Sequence, residues 1–154
     1  MKKKIFIITF LFLMFISSQS VYASNGVSTS KEVATNILNF LRTQQDDTGK
    51  ILDGGTTDWS IIAFAANGEY AENINNGGSS LLDFALIYDF EDPSELNLCA
   101  SYSRHALALL AAGLPPFHEK IELMKAHMQD EACFDGDSYG QNGINDDVFA
   151  LFTF

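Results

Sequence analysis

The residues able to do chemistry are few and dispersed. Asp146 and Asp147 stand side by side in Asn145-Asp146-Asp147-Val148-Phe149-Ala150-Leu151-Phe152-Thr153-Phe154. At the start of an apolar helix, one such carboxyl with a raised pKa would serve as a general acid. They are the candidate catalytic residues, although carboxylates in a first helical turn are also favoured by the helix dipole alone, by ~0.3 to 1 kcal/mol. Asp58, Trp59 and His105 fall in two further apolar segments and are the candidates for lining a ligand cavity. Each has a plainer role open to it: Asp58 as a helix cap, Trp59 as a packing ring, His105 as a packed or solvated histidine. Cys99 and Cys133 both precede apolar segments. A disulfide between them would close a loop worth ~3 to 4 kcal/mol, while Cys99 could instead start a helix as a small buried hydrophobe. His118 and His127 lie toward the outside of their helix. No CxxC or HxxxH spacing is present, so no metal ligand set is predicted. Walker, GxGxxG and HExxH patterns are likewise missing, and Gly77-Gly78-Ser79-Ser80 reads as a turn and cap rather than a phosphate loop.

These residues sit on a repeated scaffold. Asp58-Trp59-Ser60-Ile61-Ile62-Ala63-Phe64-Ala65-Ala66-Asn67-Gly68 aligns without gaps on Ser103-Arg104-His105-Ala106-Leu107-Ala108-Leu109-Leu110-Ala111-Ala112-Gly113, 45 residues later, and the segment at 145–154 follows at a further 42. Each is apolar nearly all round, as a helix covered on both sides should be. An amphipathic helix precedes the first and third. Val33, Ile37, Phe40 and Leu41 form its apolar stripe in the first unit, and Phe117, Ile121, Met124 and Met128 do so in the third. Asp58, Ser103 and Asn145 share one aligned position and read as N-caps. Gly68 and Gly113 read as helix-terminating glycines. The expectation is an all-α fold of about three outer/inner helix pairs, with units at about 31–68, 78–113 and 117–154.

The N-terminus carries an address. Lys2, Lys3 and Lys4 precede an uncharged apolar run from Ile5 to Ile16, and Val21-Tyr22-Ala23 ends the stretch before Ser24. This is the layout of a secretory signal peptide (1–23) cleaved after Ala23, followed by a linker at 24–30 and the repeat region at 31–154. The apolar run rises only about 18 Å as a helix against a hydrocarbon core of roughly 30 Å, so no stable membrane span is expected after cleavage. The whole chain has 20 acidic and 9 basic residues and a formal charge of -11. Losing the leader removes three basic residues and deepens that charge. Nucleic acid is excluded as a partner by repulsion, and hydrophobic residues at 47 % exclude a disordered chain.

The loops between paired helices add a resemblance. Gln44-Gln45-Asp46-Asp47-Thr48-Gly49 with Gly54-Gly55-Thr56-Thr57-Asp58-Trp59, and Gln129 with Asp135-Gly136-Asp137-Ser138-Tyr139-Gly140, resemble the Gln…Gly…Trp repeats of the prenyltransferase and squalene-cyclase superfamily. The resemblance spans about residues 31–154. It implies an α/α toroid with inner helices around a central cavity, of which three hairpins would be an incomplete part, so that self-association of the chain is expected. Cyclases of that family protonate an alkene with Asp-x-Asp-Asp, whereas here Ile144-Asn145-Asp146-Asp147 lacks the first acid. The functional expectation is therefore an exported binding or interaction module for a small apolar ligand or envelope component, without a cofactor. The alternative is an isoprenoid-processing enzyme, a terpene cyclase or prenyltransferase, using Asp146 and Asp147 and, in that case only, magnesium or zinc. A polysaccharide-active α/α barrel with carboxylates such as Asp58 and Asp146 ranks third.

Overall fold

The computed structural model describes residues 22–90 and 98–130. The leader up to residue 21, Cys133, Asn145, Asp146 and Asp147 lie outside them. Five α-helices follow in order: α1 (Tyr22–Thr43), α2 (Gly54–Ala66), α3 (Leu81–Ile87), α4 (Leu98–Ala111) and α5 (Glu119–Asp130), with a 3-10 turn at Ala71–Asn73. Among the described residues there is no strand, only a single bridge between Gln45 and Ile51. The fold is all-α. The chain divides into two units, 1–37 and 38–154, with the break inside α1. The stretch 24–30, read from the sequence as a linker, is helical as part of α1; it contains no proline to stop the helix.

In the second unit α4 is the central element, packed on α2 on one side and α5 on the other, while α3 lies on α2 and the 3-10 turn. Ile121, Met124 and Met128 recur on one face of α5 and are buried, each contributing ~1.5 to 3 kcal/mol by leaving water. Phe117, the first member of the predicted stripe, precedes the helix and is exposed. In α1 the buried face is turned from the prediction: Leu38 is buried and Leu41 rests on the core, whereas Phe40 is exposed.

The helix ends follow the sequence, but the helix starts do not. Gly68 and Gly113 both adopt positive φ, at 79° and 94°. At the first, the Glu69 amide donates to Phe64 O and the Gly68 amide to Ala65 O; at the second, Leu114 donates to Leu109 O and Gly113 to Leu110 O. The same C-terminal closure thus recurs 45 residues apart. Asp58 and Ser103, by contrast, are not N-caps. Helix α2 starts at Gly54, capped by Asp53, whose carboxylate accepts from the Thr56 amide at 2.6 Å. Helix α4 is already helical at Leu98, so Ser103 lies inside it and donates to Cys99 O. The glycine pair that reads as loop forms the first turn of α2 and packs closely: a Cβ on Gly54 would collide with the Tyr88 ring, and Gly55 lies against the Arg104 guanidinium.

The Gln…Gly loop has a structural use. Gln45 is buried, and its Nε2 donates to Gly49 O and Ile74 O, both at 3.1 Å. One side chain so joins the loop after α1 to the loop before α3. Gly49, at φ 93°, lets Ser80 O approach where a Cβ would stand. Ser80 then caps α3 through a reciprocal box with Asp83.

Candidate functional site

Placing Asp58 on α2 and His105 on α4 brings two of the candidates into contact. Asp58 Oδ1 lies 2.7 Å from His105 Nδ1, and Arg104 Nε donates to Asp58 Oδ2 at 3.2 Å. The other imidazole nitrogen, Nε2, is 3.0 Å from Ala85 O at the middle of α3. Asp58 and His105 are fully buried, and the Arg104 side chain is 13 % exposed. A carboxylate and a carbonyl only accept, so the imidazole satisfies both contacts only when both ring nitrogens carry a proton. The rings of Tyr88 and Phe90 stand edge-on around it, with centroids at 5.8 and 5.1 Å. One side chain thereby ties α2, α3 and α4 together.

An Asp–His pair is also the orienting half of a nucleophile-activating triad, but that chemistry needs Nε2 free to take a proton from a hydroxyl or thiol. Here Nε2 is held by Ala85 O. The arrangement is a buried electrostatic pin between three helices.

Trp59, the next residue after Asp58, points elsewhere and is 47 % exposed. The ring is therefore not the fully buried packing element that its position in a Gln…Gly…Trp loop suggests; it sits on the opposite side of α2 from Ile61 and Phe64, which are buried. Cys99 is disulfide-bonded, and Cys133 lies outside the described residues. His127 stacks on Tyr102 at 5.0 Å between centroids. Among the described residues no three His, Cys, Asp or Glu side chains gather as a metal site, and no helix is long and apolar enough to cross a membrane. No family model, curated protein or solved structure matches the chain.

A second site comes from residues that sequence reasoning passed over. An open cleft of about 440 Å³ is lined by Leu86 of α3 and by His118, Glu119, Lys120 and Leu123 at the start of α5. His118 caps α5: its carbonyl accepts from the Glu122 amide and its Nδ1 from the Lys120 amide at 3.2 Å, leaving the proton of a neutral ring on Nε2. Lys120 Nζ donates to Tyr88 O at 2.5 Å, fastening α5 to the end of α3. Burial holds the Lys120 ammonium below its ordinary pKa, with the charge of Asp89 pulling partly the other way. The sequence did carry one signal. Lys120 occupies the first turn of a helix, where the dipole disfavours a cation, so some other interaction has to hold it there.

Proposed function

We propose that this chain is an exported binding module, built from helical hairpins of the α/α-toroid type, that takes a small and largely apolar ligand. The observation carrying this reading is the cleft between α3 and α5: it is lined by two leucines and three polar side chains, and its volume falls in the range of small-molecule sites. Three further features support it. Phe117 and Ile87, next in the chain to cleft residues, are 79 % and 73 % exposed, more apolar surface than a polar rim needs. The Asp58–His105 pair is engaged on both imidazole nitrogens, which suits a scaffold better than a catalytic base. The Schellman endings 45 residues apart agree with a hairpin repeat, and the Lys2–Ala23 pattern with export.

Native mass spectrometry of the exported chain against envelope lipids, cobalamins and glycans tests the proposal. An apolar ligand retained by the chain, and lost from Leu123→Asp at unchanged helix content, is the expected result. Retention of glycans alone, or turnover of an isoprenoid, would overturn it.

A further inference from the structure

The cleft carries more than an apolar wall. The ion pairs among the described residues join Arg42 to Glu69, Arg104 and His105 to Asp58, and Lys125 to Glu122; Lys120 takes part in none of them. Its ammonium, part-buried beside Leu86 and Leu123, has among the described residues the neutral Tyr88 carbonyl in hydrogen-bonding contact, and the Asp89 carboxylate acts on it through its charge without an ion-pair contact. A cation taken partly out of water and left without a touching counter-ion is costly, and an anion arriving at Nζ recovers that cost. His118 lines the same cleft with the Nε2 proton of its neutral ring available as a second donor.

Resting on the binding-module reading, the geometry points to a site for a single-chain amphiphile with a singly charged anionic head, an alkyl carboxylate, its head at Lys120 and His118 and its chain along Leu86 and Leu123. The charge limit comes from Glu119, an exposed carboxylate at the same cleft, and from Asp89, whose charge acts on Lys120; both oppose a second negative charge on the head. Burial of the ammonium, which lowers its pKa, is relieved when the carboxylate docks, so binding draws a proton onto Lys120 at alkaline pH. The ligand enters as a dissolved monomer, since the cleft offers room for one chain.

The test uses the chain as its host exports it, titrated with decanoate, decan-1-ol and decyltrimethylammonium and followed by amide and methyl NMR shifts. Decanoate should move Leu86, His118 and Leu123 and bind about tenfold more tightly than decanol. Lys120→Met, which keeps an apolar stem of similar length, should abolish that preference while leaving decanol affinity within about twofold. Decanol and decanoate binding equally in this cleft would refute the anionic head and leave the apolar binding module standing. Binding of neither would remove both. Shifts seen only with phosphatidylglycerol vesicles, and none with dissolved decanoate, would assign the contact to a membrane surface and overturn the proposal.

Discussion

Replacing Asp58 with asparagine isolates the charge of the buried pin at almost constant shape. The variant keeps one carbonyl oxygen, enough for Arg104 Nε, and turns its amide NH₂ toward His105 Nδ1, which takes that hydrogen bond only by giving up its own proton while Nε2–H stays on Ala85 O, so the charge of the contact is lost. It also leaves positive charge in a site from which Asp58 and His105 expose almost nothing. Removing one partner of a buried ion pair costs ~3 to 5 kcal/mol. Arg104 keeps 13 % of its side-chain surface in water and can shed part of that penalty, so the lower end, about 3 kcal/mol, is expected. At roughly 4 °C per kcal/mol for a unit of this size, Tm should fall by about 12 °C. Urea unfolding monitored by Trp59, the only tryptophan, gives the free energy directly.

A double-mutant cycle sharpens the argument. Asp58→Leu strands His105 Nδ1, whereas adding His105→Phe removes that stranded group and fills its ring-shaped space between Tyr88 and Phe90. The double variant should therefore be more stable than Asp58→Leu alone, with a coupling of about 2 kcal/mol. A loss below about 1 kcal/mol for Asp58→Asn, or strictly additive effects in the cycle, would refute the pin.

Lys120 predicts a pH effect whose sign follows from its lowered folded-state pKa: between that value and the ordinary 10.5 the unfolded chain binds more protons, so stability should rise with pH through this window. Denaturant midpoints of the wild type minus those of Lys120→Met should show that slope, and a difference independent of pH would contradict it. Gly49→Ala meets both a positive φ and the Ser80 carbonyl, and a cost of about 2 to 4 kcal/mol is expected from thermal unfolding. Trp59→Ala should cost about 2 kcal/mol rather than the ~3 to 5 of a fully buried ring, since close to half of Trp59 is already in water. Thiol titration of the unfolded, unreduced chain should find no free thiol, because Cys99 is disulfide-bonded and the sequence has only two cysteines; two free thiols per chain would contradict it.

What could be read in advance tracks how local the cause is. Gly68 and Gly113 were legible because only the chain's own φ decides where a Schellman closure forms. Ile121, Met124 and Met128 were legible because the helical period alone puts them on one face. The start of α2 was not: Gly54-Gly55 has poor helix propensity, and the need for glycine there comes from Tyr88 and Arg104, 34 and 49 residues away, which pack where a Cβ would stand. His105 stood out as a histidine in an apolar segment, yet nothing local says that Asp58 meets it. The repeat alignment puts Asp58 level with Ser103, and the actual contacts fall one and two residues further on, at Arg104 and His105. The cleft was the least legible feature, since its walls come from helices 30 or more residues apart and share no motif.

The charge balance ties these observations together. A chain with 20 acidic and 9 basic residues cannot pair its carboxylates with cations, so most remain on the surface or serve as caps, as Asp53 and Asp83 do. Three of the cations, Arg42, Arg104 and Lys120, instead occupy joints between elements. Arg42 sits over the Phe64 ring at 4.9 Å and pairs with Glu69 beyond the end of α2. Arg104 joins α4 to α2 through Asp58. In both, a carboxylate neutralises the guanidinium where it is sheltered, as a planar, weakly hydrated cation allows. Lys120 occupies a third joint, between α5 and the end of α3, and differs in that its contact is a carbonyl. An ammonium is a strongly hydrated point charge that hydrogen-bonds a single carbonyl at the cost of most of its hydration. For the α3–α5 joint alone, an arginine paired to a carboxylate would do as well as at the other two. With its hydrogen bond on a carbonyl and the Asp89 charge acting without an ion-pair contact, Lys120 is the one of these three joints that suits the proposed site for an anion from solution.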